Sequence, residues 1–257
     1  MVTTSRLPTI SKRKACAHRW ALLGAFLCAL ISNEAFAQQR DAGNPCGPIA
    51  VPGHYGPFDY QTERNRIAIV DMHHFNARVE ALIGGQSGTL EGDLGYTLKS
   101  SPNHHRALLS LLRYSTRAKS KSPTDFDWPL ECYFERAIRF QKYDTVARMI
   151  YAQFLAQSKR VQDATVQLET AVALGTENAF TQFNAGMIFF DLGLFDRALA
   201  QAHRAKAMGL MKTDLEDRLK SANRWQEPSG ATAVAPGSLA APTALVPPTP
   251  AASAPNQ

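Results

Sequence analysis

Alanine recurs along the second half of this sequence at a constant interval. Ala137, Ala171 and Ala205 form one evenly spaced series, and Ala164 and Ala198 repeat the same separation. Two helices pack closely only where one of them presents a small side chain, so evenly spaced alanines indicate evenly spaced helix contacts. A period of about 34 residues is typical of a helix–turn–helix unit that stacks against copies of itself. The spacing therefore predicts an all-α chain built from paired helices.

Four units and one further helix follow from this period. In the clearest unit, Gly193 stands where the first helix is expected to end, because glycine readily adopts the left-handed conformation found after a helix. In the unit before it, Lys159 occupies the equivalent position. The last helix is expected to cover the exposed apolar face of the final unit. The predicted units and the covering helix span residues 71–104, 105–144, 145–178, 179–212 and 213–226.

The first 37 residues have the features of a targeting segment. A basic stretch, Lys12-Arg13-Lys14, precedes an uncharged apolar run at 20–32, and Ala35-Phe36-Ala37 follows as a cleavage site. The apolar run is short for a membrane-spanning helix, which needs about 20 residues. The pattern predicts a signal peptide over 1–37, cleaved on export to the periplasm; an uncleaved membrane anchor is the alternative.

Charge argues against a nucleic-acid partner. The formal net charge is +6, but the leader contains five basic residues and only one acidic residue. Most of the positive charge is therefore lost with the leader, and the remainder has no strong basic character.

Two segments without helical spacing flank the predicted units. Residues 38–70 contain repeated breakers such as Asn44-Pro45-Cys46-Gly47-Pro48, which predicts an irregular lead-in. Residues 227–257 are rich in proline and alanine, with no charged or aromatic residue from Pro228 onward. Such a composition cannot bury enough apolar surface to offset chain entropy, so we expect a disordered tail.

Removal of the leader leaves two cysteines, Cys46 in the lead-in and Cys132 on a predicted helix. An oxidising compartment permits a disulfide between them, which would tie the lead-in to the helical units. The pairing is our prediction; two free thiols are the alternative.

The motif residues of the last two units resemble those of the tetratricopeptide repeat (TPR) superfamily. They are Asn184, Gly186, Phe189, Gly193, Ala198 and Ala205 in the last unit, and Ala152, Leu155, Ala164, Leu168 and Ala171 in the unit before it. The resemblance implies a right-handed solenoid of about four helical hairpins over residues 71–226. With its leader and lead-in, the chain is also similar to exported TPR proteins of Gram-negative bacteria.

The resemblance also implies a binding surface, because first helices of TPR units line a concave groove that takes peptides. In this register one end of the groove is basic and the other apolar, which suits a partner with an acidic part and a hydrophobic anchor. The predicted function is a periplasmic protein–protein interaction scaffold, accessory to an envelope complex. Covering of the aromatic residues by the lead-in or by a second copy is the alternative. The predicted groove residues are Arg106, Arg113, Arg117, Met149, Gln153, Gln157, Phe180, Phe183, Met187 and Phe190.

Histidines are the most conspicuous candidates for chemistry, in the pairs His73-His74 and His104-His105. Adjacent helical residues point about 100° apart, so one pair does not readily chelate an ion. No HExxH pattern, phosphate-loop lysine or G-x-S-x-G motif accompanies them, and the glycine-rich stretch 84–88 is typical of a turn. We therefore predict no metal, no cofactor and no enzymatic activity.

Two alternatives remain open. One is an envelope enzyme, or a component of one, with a site built by the lead-in and the first unit. The other is a structural module that oligomerises through the apolar groove. The candidate residues of the enzyme site are His54, Asp59, His73, His74 and Asp93.

Overall fold

The computed structural model describes residues 43–118 and 123–228, and the regular structure in those ranges is entirely helical. The predicted all-α class is therefore confirmed. All the described helices belong to one unit that ends at Trp225. The predicted signal peptide and nearly all of the predicted tail lie outside the described residues. The helices are α1 Arg64–His74, α2 Ala77–Glu80, α3 Leu90–Ser100, α4 His105–Arg117, α5 Leu130–Phe140, α6 Thr145–Gln157, α7 Val161–Leu174, α8 Ala179–Asp191, α9 Phe195–Ala207 and α10 Asp214–Ser221.

The lead-in is irregular over a shorter stretch than the sequence indicates. Helix α1 begins at Arg64, before the predicted boundary at residue 70. The reason is that only two residues of this helix, Ile67 and Val70, are buried, so its apolar periodicity is too weak to recognise. Ile67 packs instead against Phe58 and Tyr60 of the lead-in.

The helices of the two clearest units form adjacent hairpins. α6 contacts α7 and α8 contacts α9, and each pair is joined by a short connection. Gly186 lies at a close approach between α8 and its neighbours: a Cβ there would lie 3.1 Å from Cβ of Gln201, 3.5 Å from the carbonyl oxygen of Ala198 and 2.5 Å from a methyl of Leu215. The small residue thus allows α9 and α10 to approach α8 together.

The first helices of successive units also lie against one another, since α6 contacts both α4 and α8. One continuous apolar core runs through these layers from Phe75 to Leu219. Helix α10 contacts α8 and α9 and contributes two buried leucines, Leu215 and Leu219. Among the described helices, none has the length and apolar character needed to cross a bilayer.

The turns that end α6 and α8 have the same backbone geometry. Lys159 has φ +63° and Gly193 has φ +74°, so both residues are left-handed. In each turn the following amide donates back into the helix, from Arg160 to the Leu155 carbonyl and from Leu194 to the Phe189 carbonyl, both at 2.9 Å. A residue with a Cβ is disfavoured in this conformation, and Lys159 is therefore under strain.

We expect Lys159→Gly to raise the free energy of unfolding by about 1 kcal/mol, because the left-handed strain is removed at an exposed position. The reciprocal change, Gly193→Lys, should lower it by a similar amount. Urea unfolding followed by circular dichroism measures both. Shifts of the same sign in the two variants would contradict the shared turn geometry.

The predicted pairing of Cys46 with Cys132 is confirmed: the two sulfur atoms lie at disulfide distance. A buried arginine reinforces this link between the lead-in and α5. The Arg136 guanidinium donates to the carbonyl oxygens of Cys46 at 3.3 Å and Ile49 at 3.2 Å and also to that of Pro48, and it stacks 4.2 Å from the Trp128 ring. The lead-in is therefore held to α5 by both a covalent bond and a charge-assisted network.

Candidate functional site

The ten predicted groove residues lie on α4, α6 and α8, but some of them are buried and others are exposed. Two of them, Met149 and Phe183, are buried in the core and are closed to a partner. The prediction was wrong for these two because their side chains fill the contacts between adjacent first helices. Gln153, Met187 and Phe190 are partly buried. The exposed residues of the set are Arg106, Arg113, Arg117, Gln157 and Phe180.

The basic end of this surface is partly neutralised by the first unit. Arg106 forms a two-pronged ion pair with the Glu80 carboxylate at the end of α2. Arg113 donates to the Glu80 carbonyl oxygen at 3.0 Å and to the Ser110 hydroxyl at 2.9 Å, so it forms no two-pronged ion pair, although the Glu80 carboxylate offsets part of its charge. The positive charge open to a partner therefore comes from Arg113 and Arg117.

The apolar end is covered by the chain itself. Arg218 of α10 lies 4.3 Å over the Phe190 ring, approaches the Met187 sulfur at 3.9 Å and pairs with Asp191 at 2.5 Å. The covering element is the last described helix, which the sequence predicted to cover the final unit; the lead-in and a second copy were the alternatives for the aromatic residues. Met187 and Phe190 are not available as a deep anchor pocket in this arrangement.

A different row of apolar side chains remains exposed on the three first helices. Leu109 of α4, Val146 of α6 and Phe180 of α8 are all exposed, and α6 contacts both α4 and α8. Val146 and Phe180 are one repeat period apart, which places them at equivalent positions in successive units. Of the three, only Phe180 was predicted; the repeat period itself was the signal that would have found Val146. We call these three residues the apolar row.

A second site lies between the lead-in, α1 and α3. There the Tyr96 ring sits between two imidazoles, with centroid distances of 4.2 Å to His54 and 3.9 Å to His74. A cavity of about 410 Å³ opens beside this stack. Four of the five residues proposed for an enzyme site, His54, His73, His74 and Asp93, therefore come together here. The cavity is lined by Tyr55, Ile69, Val70, His73, His74 and Tyr96.

Asp93 fixes the orientation of His74. One carboxylate oxygen accepts a hydrogen bond from Nδ1 of His74 at 2.8 Å. The other accepts from the backbone amides of Gln86 at 2.5 Å, Ser87 at 2.9 Å and Gly88 at 3.4 Å. Burial opposes ionisation of Asp93, but these four donors outweigh it and hold the pKa of its carboxyl below the ordinary value. The glycine-rich stretch thus serves to present amides to a buried carboxylate.

Tyr96 was not predicted from the sequence. Tyr96 is three residues after Asp93, so the two residues lie on neighbouring positions of one helical face. The tyrosine has no charge or motif to mark it, and only the folded arrangement of His54 and His74 around its ring shows its role.

Asp59, the fifth candidate, lies in another cluster. It accepts from the side-chain amides of Asn103 at 2.8 Å and Gln141 at 3.0 Å. Asn103 also donates to Asp144 at 2.9 Å, and the fully buried Asp144 is 2.7 Å from Nε2 of His105. This buried network joins the lead-in to the start of α4 and α6, and it is structural in character.

His104 takes part in the same junction as the N-cap of α4. Its Nδ1 accepts a hydrogen bond from the Ala107 amide at 3.1 Å, so that nitrogen carries no proton. Its Nε2 lies 2.9 Å from Asp71, to which it donates. Burial lowers the pKa of His104 despite the opposing effect of Asp71. The folded protein therefore holds His104 neutral below the pH at which an exposed histidine takes up a proton.

This arrangement predicts a loss of stability in mild acid. Above about pH 6.5 the imidazole is neutral in both states and its contribution is complete; below that, the unfolded chain binds a proton that the fold resists. We expect the free energy of unfolding to fall by up to about 1.4 kcal/mol per pH unit for this group. Urea unfolding at several pH values measures the slope.

The matched variant for that experiment is His104→Asn, since asparagine also caps helices but does not titrate in this range. It should be less stable at neutral pH and should show a shallower slope. Burial also lowers the pKa of His54. This residue therefore contributes the same acid-dependent loss of stability to the wild type and to the variant. An unchanged slope in His104→Asn would show that another group controls the acid response.

Metal-ligating side chains converge at one place within residues 43–118 and 123–228. Sulfur atoms of Cys46 and Cys132 and a carboxylate oxygen of Glu135 lie within 4.8 Å of one another. The two cysteines are joined in the disulfide and so do not present thiolates there.

Fold and sites together define an all-helical protein with an exposed apolar row on its first helices and a histidine-lined cavity near its N-terminal helices. Comparison with protein-family models, with curated proteins and with solved structures finds no match to this chain.

Proposed function

We propose that this chain is a periplasmic protein–protein interaction scaffold of the TPR type, which binds a partner segment across its first helices. The observation that carries the proposal is the apolar row, Leu109, Val146 and Phe180, exposed on three helices of which the middle one, α6, contacts the other two. Apolar side chains exposed on adjoining helices form a candidate interaction surface if one partner segment covers them together. No cofactor enters this proposal.

Recurring local geometry supports the TPR assignment. The N-caps Asp144 and Asn178 stand one repeat period apart and accept equivalent amide hydrogen bonds at the starts of α6 and α8. The left-handed turn residues Lys159 and Gly193 are separated by the same interval. Equal spacing of starts and ends is what a stacked repeat requires.

The partner's chemistry follows from the surface. An apolar anchor would cover Val146 and Phe180, and an acidic stretch would face Arg113 and Arg117 at the α4 end. Because Arg106 is already paired with Glu80, the electrostatic part is smaller than the sequence indicates. Location in the periplasm, as accessory to an envelope complex, rests on the leader at 1–37.

We expect Phe180→Ser to reduce partner capture at least tenfold, because an aromatic anchor contributes roughly 1.5–3 kcal/mol of apolar burial. A photo-crosslinking residue at position 157, introduced in the exporting cell, measures the yield of specific adducts. Phe180 is 57% exposed, so its replacement should leave the core intact.

The matched control is Val166→Ser on α7, a residue that is 49% exposed and lies on a second helix of its unit. It should leave the adducts unchanged. Equal yields from the wild type and Phe180→Ser would remove α8 from the proposed surface. A protein found only in the cytoplasm would remove the periplasmic assignment independently.

The enzyme alternative is favoured by one observation, the convergence of His54, His73, His74 and Asp93 around Tyr96. Within it, the Asp93–His74 pair is the arrangement suited to proton transfer, because the carboxylate fixes the orientation of the ring. Asp59 takes no part, since it belongs to the buried junction. This candidate ranks second because the cluster by itself indicates a site without indicating a reaction.

A further inference from the structure

The polar residues that line the cavity beside Tyr96 are His73, His74 and two tyrosines. His74 lines the cavity, and its Nδ1 is committed to Asp93. Its other ring nitrogen, Nε2, has no hydrogen-bond partner among the described residues. In the tautomer that donates the Nδ1 proton to Asp93, Nε2 carries a lone pair and acts as an acceptor.

The fold holds this acceptor rigidly. The His74 ring stacks on Tyr96 at 3.9 Å with an interplanar angle of 23°. The loop that supplies amides to Asp93 also binds the end of α1, through Gln86 Nε2 to the Met72 carbonyl at 2.6 Å and Ser87 Oγ to the His73 carbonyl at 2.6 Å. A ring fixed in this way is preorganised, which lowers the entropic cost of using it for binding.

The other lining residues favour a ligand whose main part is apolar. Ile69 and Val70 provide aliphatic surface and Tyr55 and Tyr96 provide aromatic rings. A cavity of about 410 Å³ accommodates a single-ring molecule. The combination of apolar walls with one or two polar groups is typical of sites for small organic ligands.

The charges near His74 favour a neutral ligand over an anion. The ionised Asp93 lies directly behind His74, so an anion bound at Nε2 would face a second negative charge. Lys99, whose charge acts on His54, is itself paired with Asp127 at 2.7 Å. A neutral group that donates a hydrogen bond avoids this repulsion and matches the lone pair.

We propose that the cavity between the lead-in, α1 and α3 binds a small neutral aromatic compound with a hydroxyl donor, such as a phenol, with the hydroxyl on His74 Nε2. The site is separate from the apolar row, so it does not depend on the proposed scaffold function.

The test uses the full mature protein and three ligands of similar shape: 4-methylphenol, toluene and 4-methylbenzoate. Histidine side-chain ¹⁵N spectra during titration report both affinity and the atom contacted. We expect 4-methylphenol to bind about tenfold more tightly than toluene, the factor typical of one hydrogen bond, and to shift the His74 Nε2 resonance. Weaker binding of toluene and the anion supports the proposal.

Two variants locate the site. Ile69→Trp should fill the cavity and weaken 4-methylphenol binding at least about tenfold by steric exclusion. Met72→Trp, on the same helix and outside the lining, should leave it unchanged; the two positions are 48% and 62% exposed, so both variants should fold. His74→Phe should make 4-methylphenol and toluene bind equally.

Several results would overturn the proposal. These are no binding by any of the three ligands, toluene binding as tightly as 4-methylphenol, or the carboxylate binding most tightly. Equal effects of Ile69→Trp and Met72→Trp would also overturn it, because the ligand would then lie elsewhere.

Discussion

Replacing Asp144 with alanine is expected to lower the free energy of unfolding by about 3–4 kcal/mol. The carboxylate is fully buried and accepts from the Ala147 amide at 3.0 Å, from Asn103 at 2.9 Å and from His105 at 2.7 Å. Alanine would leave these donors without their acceptor in a dry environment, and each buried unpaired donor costs about 1–3 kcal/mol. Urea unfolding of purified protein gives the difference.

Asn178→Ala is the matched control for this prediction. Asn178 stands at the same position one unit later and caps α8 through the Thr181 amide at 3.0 Å, but it is exposed. Its loss should cost about 1 kcal/mol, the usual effect of removing a helix cap. If the two variants lost equal stability, the buried network around Asp144 would contribute nothing beyond its capping role.

The Asp144 network also has a defined pH response. Burial opposes ionisation of Asp144, but the hydrogen bond and charge of His105 outweigh it and hold its pKa below the ordinary value. A carboxyl with a lowered pKa stabilises the fold above its unfolded pKa of about 3.9 and loses that effect as the pH falls through the folded pKa. Acid unfolding of Asp144→Ala should therefore be less steep below about pH 4.

Removal of the Cys46–Cys132 disulfide is expected to have an effect of similar size. The bridge closes a loop with a sequence separation of 86 residues. By the chain-entropy model, a loop of this length stabilises the fold by about 4 kcal/mol, and measured values are often smaller. The double variant Cys46→Ala/Cys132→Ala should thus unfold with a free energy lowered by about 3 kcal/mol.

Reductant provides the control for the disulfide. Adding a dithiol should destabilise the wild type by a similar amount and leave the double variant unchanged. Because Arg136 still donates to the lead-in carbonyls, residues 46–49 should stay attached to α5 in the native state, which hydrogen exchange would show. Wild type and double variant unfolding at the same urea concentration would mean that the arginine alone secures the lead-in.

Local sequence patterns were sufficient to predict helices and helix ends where the pattern repeated along the chain. Alanines at a fixed interval and Gly193 at a helix end depend on contacts within one hairpin, and such contacts recur in register. Helix α1 was missed because only Ile67 and Val70 face its core. For the predicted groove, the same pattern did not show which side chains stay exposed: Met149 and Phe183 serve helix packing instead.

The cavity site was only partly accessible to sequence reasoning. His54, His73, His74 and Asp93 were recognisable as residue types suited to chemistry, and Asp59 looked equivalent to them. Their grouping depends on contacts between residues 19 to 46 positions apart, such as His74 with Asp93 and His54 with Ser100. No local periodicity encodes such separations, so Asp59 could not be excluded nor Tyr96 included.

By itself, the sequence determined the helical class, the constant interval between alanines and the residue pair able to form the disulfide. Only the tertiary structure decided that the residues covered by α10 include the groove candidates Met187 and Phe190, that Glu80 neutralises Arg106, and that Tyr96 lies between two imidazoles. The physical reason is the separation along the chain of the residues that interact. Helix formation and hairpin packing depend on residues close together in sequence. Exposure and ion pairing depend on where distant segments pack.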